Sequence, residues 1–137
     1  MIAQPSLAFE KESGAIPALG FGTGAMTGGM SAEAVAMALG AGYRHIDTAR
    51  KYGTEPAVGE AMRASGIPRN DIFLTTKVSH ENLRADDFAR SVDESLAALK
   101  VDYVDLLMVH WPNRTIALAE TMPALAKAKQ QGLARHI

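Results

Sequence analysis

The 137-residue chain has no cysteine. Disulfides, thiolate nucleophiles and cysteine-based metal centres are therefore excluded together. No run of apolar residues approaches the ~20 needed to span a membrane. Neither sign of charge dominates: 14 Lys and Arg face 15 Asp and Glu, for a formal net charge of −1. There is accordingly no basic stripe to suit nucleic acid. The N-terminal Met-Ile-Ala-Gln-Pro-Ser-Leu has no basic segment followed by an apolar stretch, which argues against a secretory signal. His80 and His136 show no metal-ligand spacing, and no metal is expected. The glycines at 20, 22 and 24 do not make the Gly-x-Gly-x-x-Gly dinucleotide signature. Low-complexity segments and linkers are missing too. These absences point to a soluble protein with no nucleic-acid or membrane partner, and the cytoplasm fits without being demanded.

What is present is apolar material in a regular order. Hydrophobic residues make up 47% of the chain, enough to bury a core, and the length suggests one domain over 1–137. Short apolar runs at Leu19–Thr23, Arg44–Thr48, Ile72–Val78 and Tyr103–His110 start about 25 to 32 residues apart, within reach of βα-unit spacing. The last is nearly continuous, as expected of a parallel strand covered on both faces. Between the runs, apolar residues recur at helical spacing: Val35 and Leu39; Val58 and Met62; Phe88, Val92, Leu96 and Leu99; Leu118, Met122 and Leu125. Ser31 is expected to cap the first helix, Pro56 to sit in the first turn of the second, and Asp86 and Asp87 to complement the start of the third. Gly42, Gly66 and Gly132 mark stops. Pro123 interrupts the fourth pattern, so that helix either begins near it or bends there. Ser6–Glu10 and Ala15–Ala18, around Ser13-Gly14, read as a small hairpin suited to plug one end of a barrel. The expected architecture is α/β: a hairpin, four βα units and a fifth strand beginning at Leu133–Ile137.

In repeated βα folds the ligand site collects where the βα loops converge, at the C-terminal ends of the strands. Asp47, Lys77 and His110 occupy those ends, with Tyr52 a few residues past the second strand. Singly, each has an ordinary reading: a capping aspartate, a satisfied core histidine, a packing tyrosine. Lys77 is harder to dismiss, because a lysine after Phe73-Leu-Thr-Thr76 stands where an apolar side chain is expected, and a buried lysine needs a partner. The coincidence of all four at one end favours function. A neighbouring ammonium favours the phenolate form of a tyrosine and so makes it a better proton donor at neutral pH. Asp47 can keep Lys77 charged and oriented, while His110 can hydrogen-bond a substrate oxygen. Such a set suits protonation of a carbonyl oxygen as negative charge develops on it. The hydride must come from elsewhere.

Three spaced segments carry a family resemblance: Gly42–Met62 with Asp-Thr-Ala-Arg-Lys-Tyr-Gly at its centre, Leu74-Thr-Thr-Lys-Val78, and Asp102-Tyr-Val-Asp-Leu-Leu-Met-Val-His-Trp-Pro112. In this order they resemble the aldo-keto reductases, and Glu120–Ile137 is most similar to bacterial enzymes of the 2,5-diketo-D-gluconate reductase type. The resemblance implies a (βα)8 TIM barrel, of which this chain covers the hairpin and about four βα units, a half-barrel. It implies NADPH-dependent (NADP+-forming) reduction of a small carbonyl substrate, with Tyr52 as general acid, Lys77 and Asp47 tuning it, and His110 positioning the carbonyl. Trp111 matches the ring that walls the substrate pocket. Gly22 and Thr23 match the first βα loop that touches the cofactor, and Asp47 lies near the nicotinamide ribose. Thr54 departs from a common asparagine, a change expected to matter little at a loop position. His45 and Arg44 are expected to make structural contacts.

A full barrel needs about 250 residues. The resemblance implies that most cofactor-binding groups belong to the other half, and that open strand edges invite self-association or complementation by that half. Two alternatives to an enzyme accompany this reading: a nucleotide-binding regulatory module on the same scaffold, and an inactive truncated half-barrel.

Overall fold

A computed structural model of the protein describes residues 4–9 and 14–137. Two short strands, β1 (Ser6–Ala8) and β2 (Ala15–Pro17), pair antiparallel as the expected hairpin; Glu10 and Ser13 lie outside the described residues. The chain then alternates: β3 (Phe21–Gly22), α1 (Gly28–Gly40), β4 (His45–Asp47), α2 (Glu55–Ala64), β5 (Phe73–Val78), α3 (Ala85–Leu99), β6 (Val104–Val109), α4 (Leu118–Gln130) and β7 (Ala134–His136). The strands β3 to β7 are parallel and hydrogen-bonded in chain order, the arrangement of a barrel wall. No helix among the described residues is long and apolar enough to cross a membrane.

Helix ends follow local chemistry, with one departure from expectation at Ser31. Helix α1 begins at Gly28, so Ser31 is not its cap: it lies one turn inside, and its hydroxyl donates back to the Thr27 carbonyl at 3.1 Å. Thr27 itself is extended and makes no side-chain cap. Ser31 therefore uses the alternative open to a helical serine, a bond to the carbonyl four residues back. Helix α4 begins five residues before Pro123 and continues through it. The ring is exposed, and only the Ala119 carbonyl loses its intrahelical donor. Pro56 and Glu55 occupy the first turn of α2, and Asp86 and Asp87 that of α3, as the spacing requires. Gly66 and Gly132 follow α2 and α4 with φ of +67° and +77°. After α3 the same left-handed turn falls to Lys100, at φ 56°, where no glycine signals it.

The core lies between the sheet's outer face and the helices. Ile46, Leu74 and Leu107 project from the strands against Val35, Val58, Phe88 and Leu99, all nearly inaccessible to solvent. Helices α2 and α3 approach so closely that a Cβ on Gly59 would lie 2.2 Å from the Leu99 carbonyl oxygen. The inner face is more polar. His45, Asp47, Phe73, Thr75, Lys77, Leu106 and Met108 alternate with the outward set, and the His45 ring reaches Thr75 Oγ1 at 3.0 Å across it. Phe9 after β1 packs against Phe73 at the start of β5 and against His136 of β7, with ring centroids 6.4 and 4.2 Å away. The hairpin thus closes the end of the wall opposite the loops that follow the strands.

One polar side chain in β6 is structural. Asp105 is buried and accepts the Leu74 amide at 2.9 Å, while Arg69 and Arg135 reach its two oxygens at 2.8 and 3.1 Å. It joins β5, β6 and β7 where the ladder between β5 and β6 has not yet begun.

Candidate active site

Parallel register brings the four singled-out residues together. Asp47 ends β4 opposite Thr75, Lys77 stands two residues further along β5 opposite Met108, and His110 follows β6, its amide held by the Val78 carbonyl at 3.0 Å. Tyr52 reaches the same place from a single 3₁₀ turn, Arg50–Tyr52, that leaves β4. The turn closes through the Tyr52 amide on the Ala49 carbonyl at 3.0 Å, and Gly53 at φ 68° lets the chain reverse into α2. A residue with a Cβ would be strained at that φ.

The Lys77 ammonium donates to both Asp47 carboxylate oxygens, at 2.7 and 2.9 Å, and to the Thr48 carbonyl at 3.0 Å. These three acceptors use all of its protons. Its nitrogen lies 5.3 Å from the Tyr52 ring centroid. The Tyr52 hydroxyl is 3.5 Å from His110 Nε2, and the two rings meet edge to face at 5.3 Å and 82°. That separation is at the outer limit of a hydrogen bond and leaves both groups free to turn to a third oxygen. Burial first, then the Lys77 and Lys51 ammoniums, hold His110 below the ordinary histidine range, against a smaller opposing pull from Asp47. The shift favours the neutral imidazole, which donates from one nitrogen and accepts at the other.

Trp111 continues the rim. Its ring is tilted against His110 at 3.9 Å and His80 at 5.4 Å, and the Lys51 ammonium lies 5.5 Å from its centroid. Lys51 also pairs with Glu81 at 2.9 Å. Hydrogen bonds from Ser79 and then Lys51 hold the Glu81 carboxyl well down, to about 2. The loops after β4, β5 and β6 are thereby linked at the mouth of the site. Lys51 was not among the residues singled out from sequence; its place next to Tyr52 was the available signal.

The first βα loop is open at one residue and closed at the next. Gly22 is exposed, and a Cβ there would meet nothing within 4 Å, so its backbone is open to a ligand. Thr23 is fully buried, and its hydroxyl is spent on Thr48 and Thr54, each 3.0 Å away. Thr54 is 1% exposed and tied to Thr48 at 3.1 Å as well. Arg44 donates to the Leu39 and Tyr43 carbonyls at 3.0 and 2.7 Å, and His45 bonds Thr75; both contacts are structural.

A parallel βα wall with aspartate, lysine, tyrosine and histidine gathered at its C-terminal strand ends defines a class. The chain belongs to the Aldo/keto reductase family, which it matches over residues 18–137. It is 46% identical over 124 residues to the methylglyoxal reductase DkgB of Salmonella typhi, an alignment covering 89% of this chain and 46% of that protein. It is 42% identical over 123 residues to the morphine 6-dehydrogenase of Pseudomonas putida, with 89% and 42% covered. Among solved structures, one provisionally described as a 2,5-diketo-D-gluconic acid reductase B shares 52% identity with a TM-score of 0.87, over 89% of this chain and 43% of that one. The Bombyx mori aldo-keto reductase in complex with NADP shares 32% identity with a TM-score of 0.87, over 98% and 50%. The chain spans about half the length of the curated relatives it matches.

Proposed function

We propose that the chain supplies the proton-transfer half of an NADPH-dependent aldehyde or ketone reductase. The observation that carries this reading is the approach of the Tyr52 hydroxyl to His110 Nε2 at 3.5 Å, with the Lys77 ammonium 5.3 Å from the tyrosine ring. Hydride comes from the reduced nicotinamide when that cofactor is bound. Asp47, its side chain one-third exposed, and the open backbone at Gly22 are the groups here that would hold it. A substrate carbonyl oxygen seated between Tyr52 and His110 accepts hydrogen bonds from both. As that oxygen gains negative charge, Tyr52 transfers its proton and the Lys77 ammonium stabilises the phenolate left behind. His110, neutral, orients the carbonyl without competing as the acid. Trp111 forms a side wall for the organic part of the substrate.

Among the described residues the outer strands β3 and β7 are each paired on one side only, and Met30 and Met37 on α1 and Leu118 and Met122 on α4 are exposed. Cover by a complementary half-barrel or by a second copy accounts for both features, and a cytoplasmic setting suits a cysteine-free, NADPH-using protein. A whole barrel carrying this chain as its N-terminal half, mixed with NADPH and 4-nitrobenzaldehyde and followed by loss of reduced-nicotinamide absorbance, tests the reading; the 137-residue chain alone lacks most of the cofactor site. Turnover is expected. No turnover from a preparation that binds NADPH would refute it and favour the regulatory alternative.

A further inference from the structure

The three threonines Thr23, Thr48 and Thr54 come from three segments of the wall: the residue after β3, the residue after β4, and the residue that opens α2. Their hydroxyls stand 3.0, 3.0 and 3.1 Å apart, pair by pair, and none of the residues is more than 1% exposed. Each hydroxyl has one proton to give and lone pairs to receive. With Thr23 donating to Thr48, the arrangement closes only if Thr48 donates to Thr54 and Thr54 to Thr23. Every member then donates once and accepts once. Three valines would fill the same space, but would not fix the three segments at one mutual orientation.

The backbone of the ring's members is tied to Asp47 and Lys77 and leads, two residues back along the chain, to Tyr52. Thr48 follows Asp47, and its own carbonyl takes the third proton of Lys77 at 3.0 Å. Thr23 binds the Asp47 carbonyl through its amide at 3.0 Å. Thr54 stands two residues after Tyr52, across the Gly53 reversal. Tyr52 is carried by a single 3₁₀ turn, and the ring pins the far side of that turn to the strand ends bearing Asp47.

We infer that Thr23, Thr48 and Thr54 form a closed hydroxyl ring that positions Tyr52 over the Asp47–Lys77 pair, with Thr54 as the positioning residue for the acid. The inference rests on the carbonyl-reductase reading for its kinetic consequence, but not for its structural one. Misplacement of an acid by a fraction of an ångström lowers turnover without weakening binding.

The test compares Thr54→Val, which keeps the shape and removes the hydroxyl, with Thr54→Ser, which keeps the hydroxyl. In reduction of 4-nitrobenzaldehyde by NADPH with a whole barrel carrying this chain as its N-terminal half, Thr54→Val should lower kcat about tenfold or more, with KM and the NADPH dissociation constant within about twofold, and Thr54→Ser should stay near wild type. In parallel, hydrogen exchange of amides 50–55 should accelerate at least about tenfold in Thr54→Val and not in Thr54→Ser. If Thr54→Val does not fold, Thr48→Val opens the ring at another corner and is read the same way. Wild-type kcat in the valine variant overturns the inference even if its melting temperature falls, as does a loss confined to KM or cofactor affinity. A wild-type protein that reduces no aldehyde sinks the reductase reading instead; the ring then stands on local exchange in residues 50–55, and unchanged exchange overturns it.

Discussion

Lys77 grips Asp47 through both carboxylate oxygens, at 2.7 and 2.9 Å, across the β4–β5 ladder. The lysine side chain is 10% exposed and the aspartate 34%, so the positive partner is the buried one. Its ammonium is held by a carboxylate that still faces the open side of the wall.

That asymmetry sets the cost of breaking the pair. Asp47→Asn leaves a buried ammonium with the Thr48 carbonyl and a neutral amide, and should destabilise the protein by about 1–3 kcal/mol, reduced from the fully buried case because Asp47 is part-solvated. Urea unfolding measures it through a lowered midpoint at constant slope. An unchanged midpoint would mean that the pair contributes nothing net.

Removing only the phenolic hydroxyl separates chemistry from architecture. Tyr52→Phe keeps the edge-to-face packing on His110 but deletes the proposed acid, so kcat should fall about 100-fold or more while NADPH affinity stays within about twofold. A variant with most of its rate intact would mean that the proton comes from another group.

Gly59→Ala tests the helix layer. The added methyl lies 2.2 Å from the Leu99 carbonyl oxygen, a backbone atom that cannot rotate away. Helices α2 and α3 must separate, and overpacking of this kind should cost about 3 kcal/mol. Thermal melting reads the loss directly; a wild-type transition would show that the helices move apart freely.

Acid should weaken the fold through two histidines. His45 and His110 are both held below their ordinary value, chiefly by burial. The unfolded chain takes up its protons first as pH falls, so stability is full above the unfolded value of about 6.5 and declines as pH drops through the folded values. Melting temperatures from about pH 8 to about pH 5 should fall, and His45→Gln should flatten part of the decline. A profile unchanged by that substitution would locate the acid sensitivity elsewhere.

The tetrad was legible in sequence because βα repetition converts spacing into position: a residue at the end of one parallel run lies beside the end of the next. The threonine ring was not, since Thr23, Thr48 and Thr54 belong to three segments whose approach depends on the twist of the wall. Asp105 was absorbed into an apolar run, and only the arrival of Arg69 and Arg135 from other segments shows why a carboxylate is there. Lys100 carries no glycine to mark its left-handed turn, and Ser31 looked like a cap because a serine before an apolar repeat usually is one.

Sequence alone determined the order of elements, the faces of the helices and the identity of the proton-active residues, because periodicity and composition act locally along the chain. Tertiary structure alone decided which of them share protons. Lys77 gives its three to Asp47 and Thr48, and Thr23 joins its hydroxyl to Thr48 and Thr54, because hydrogen bonds are settled at about 3 Å between segments that the chain separates by 20 residues or more.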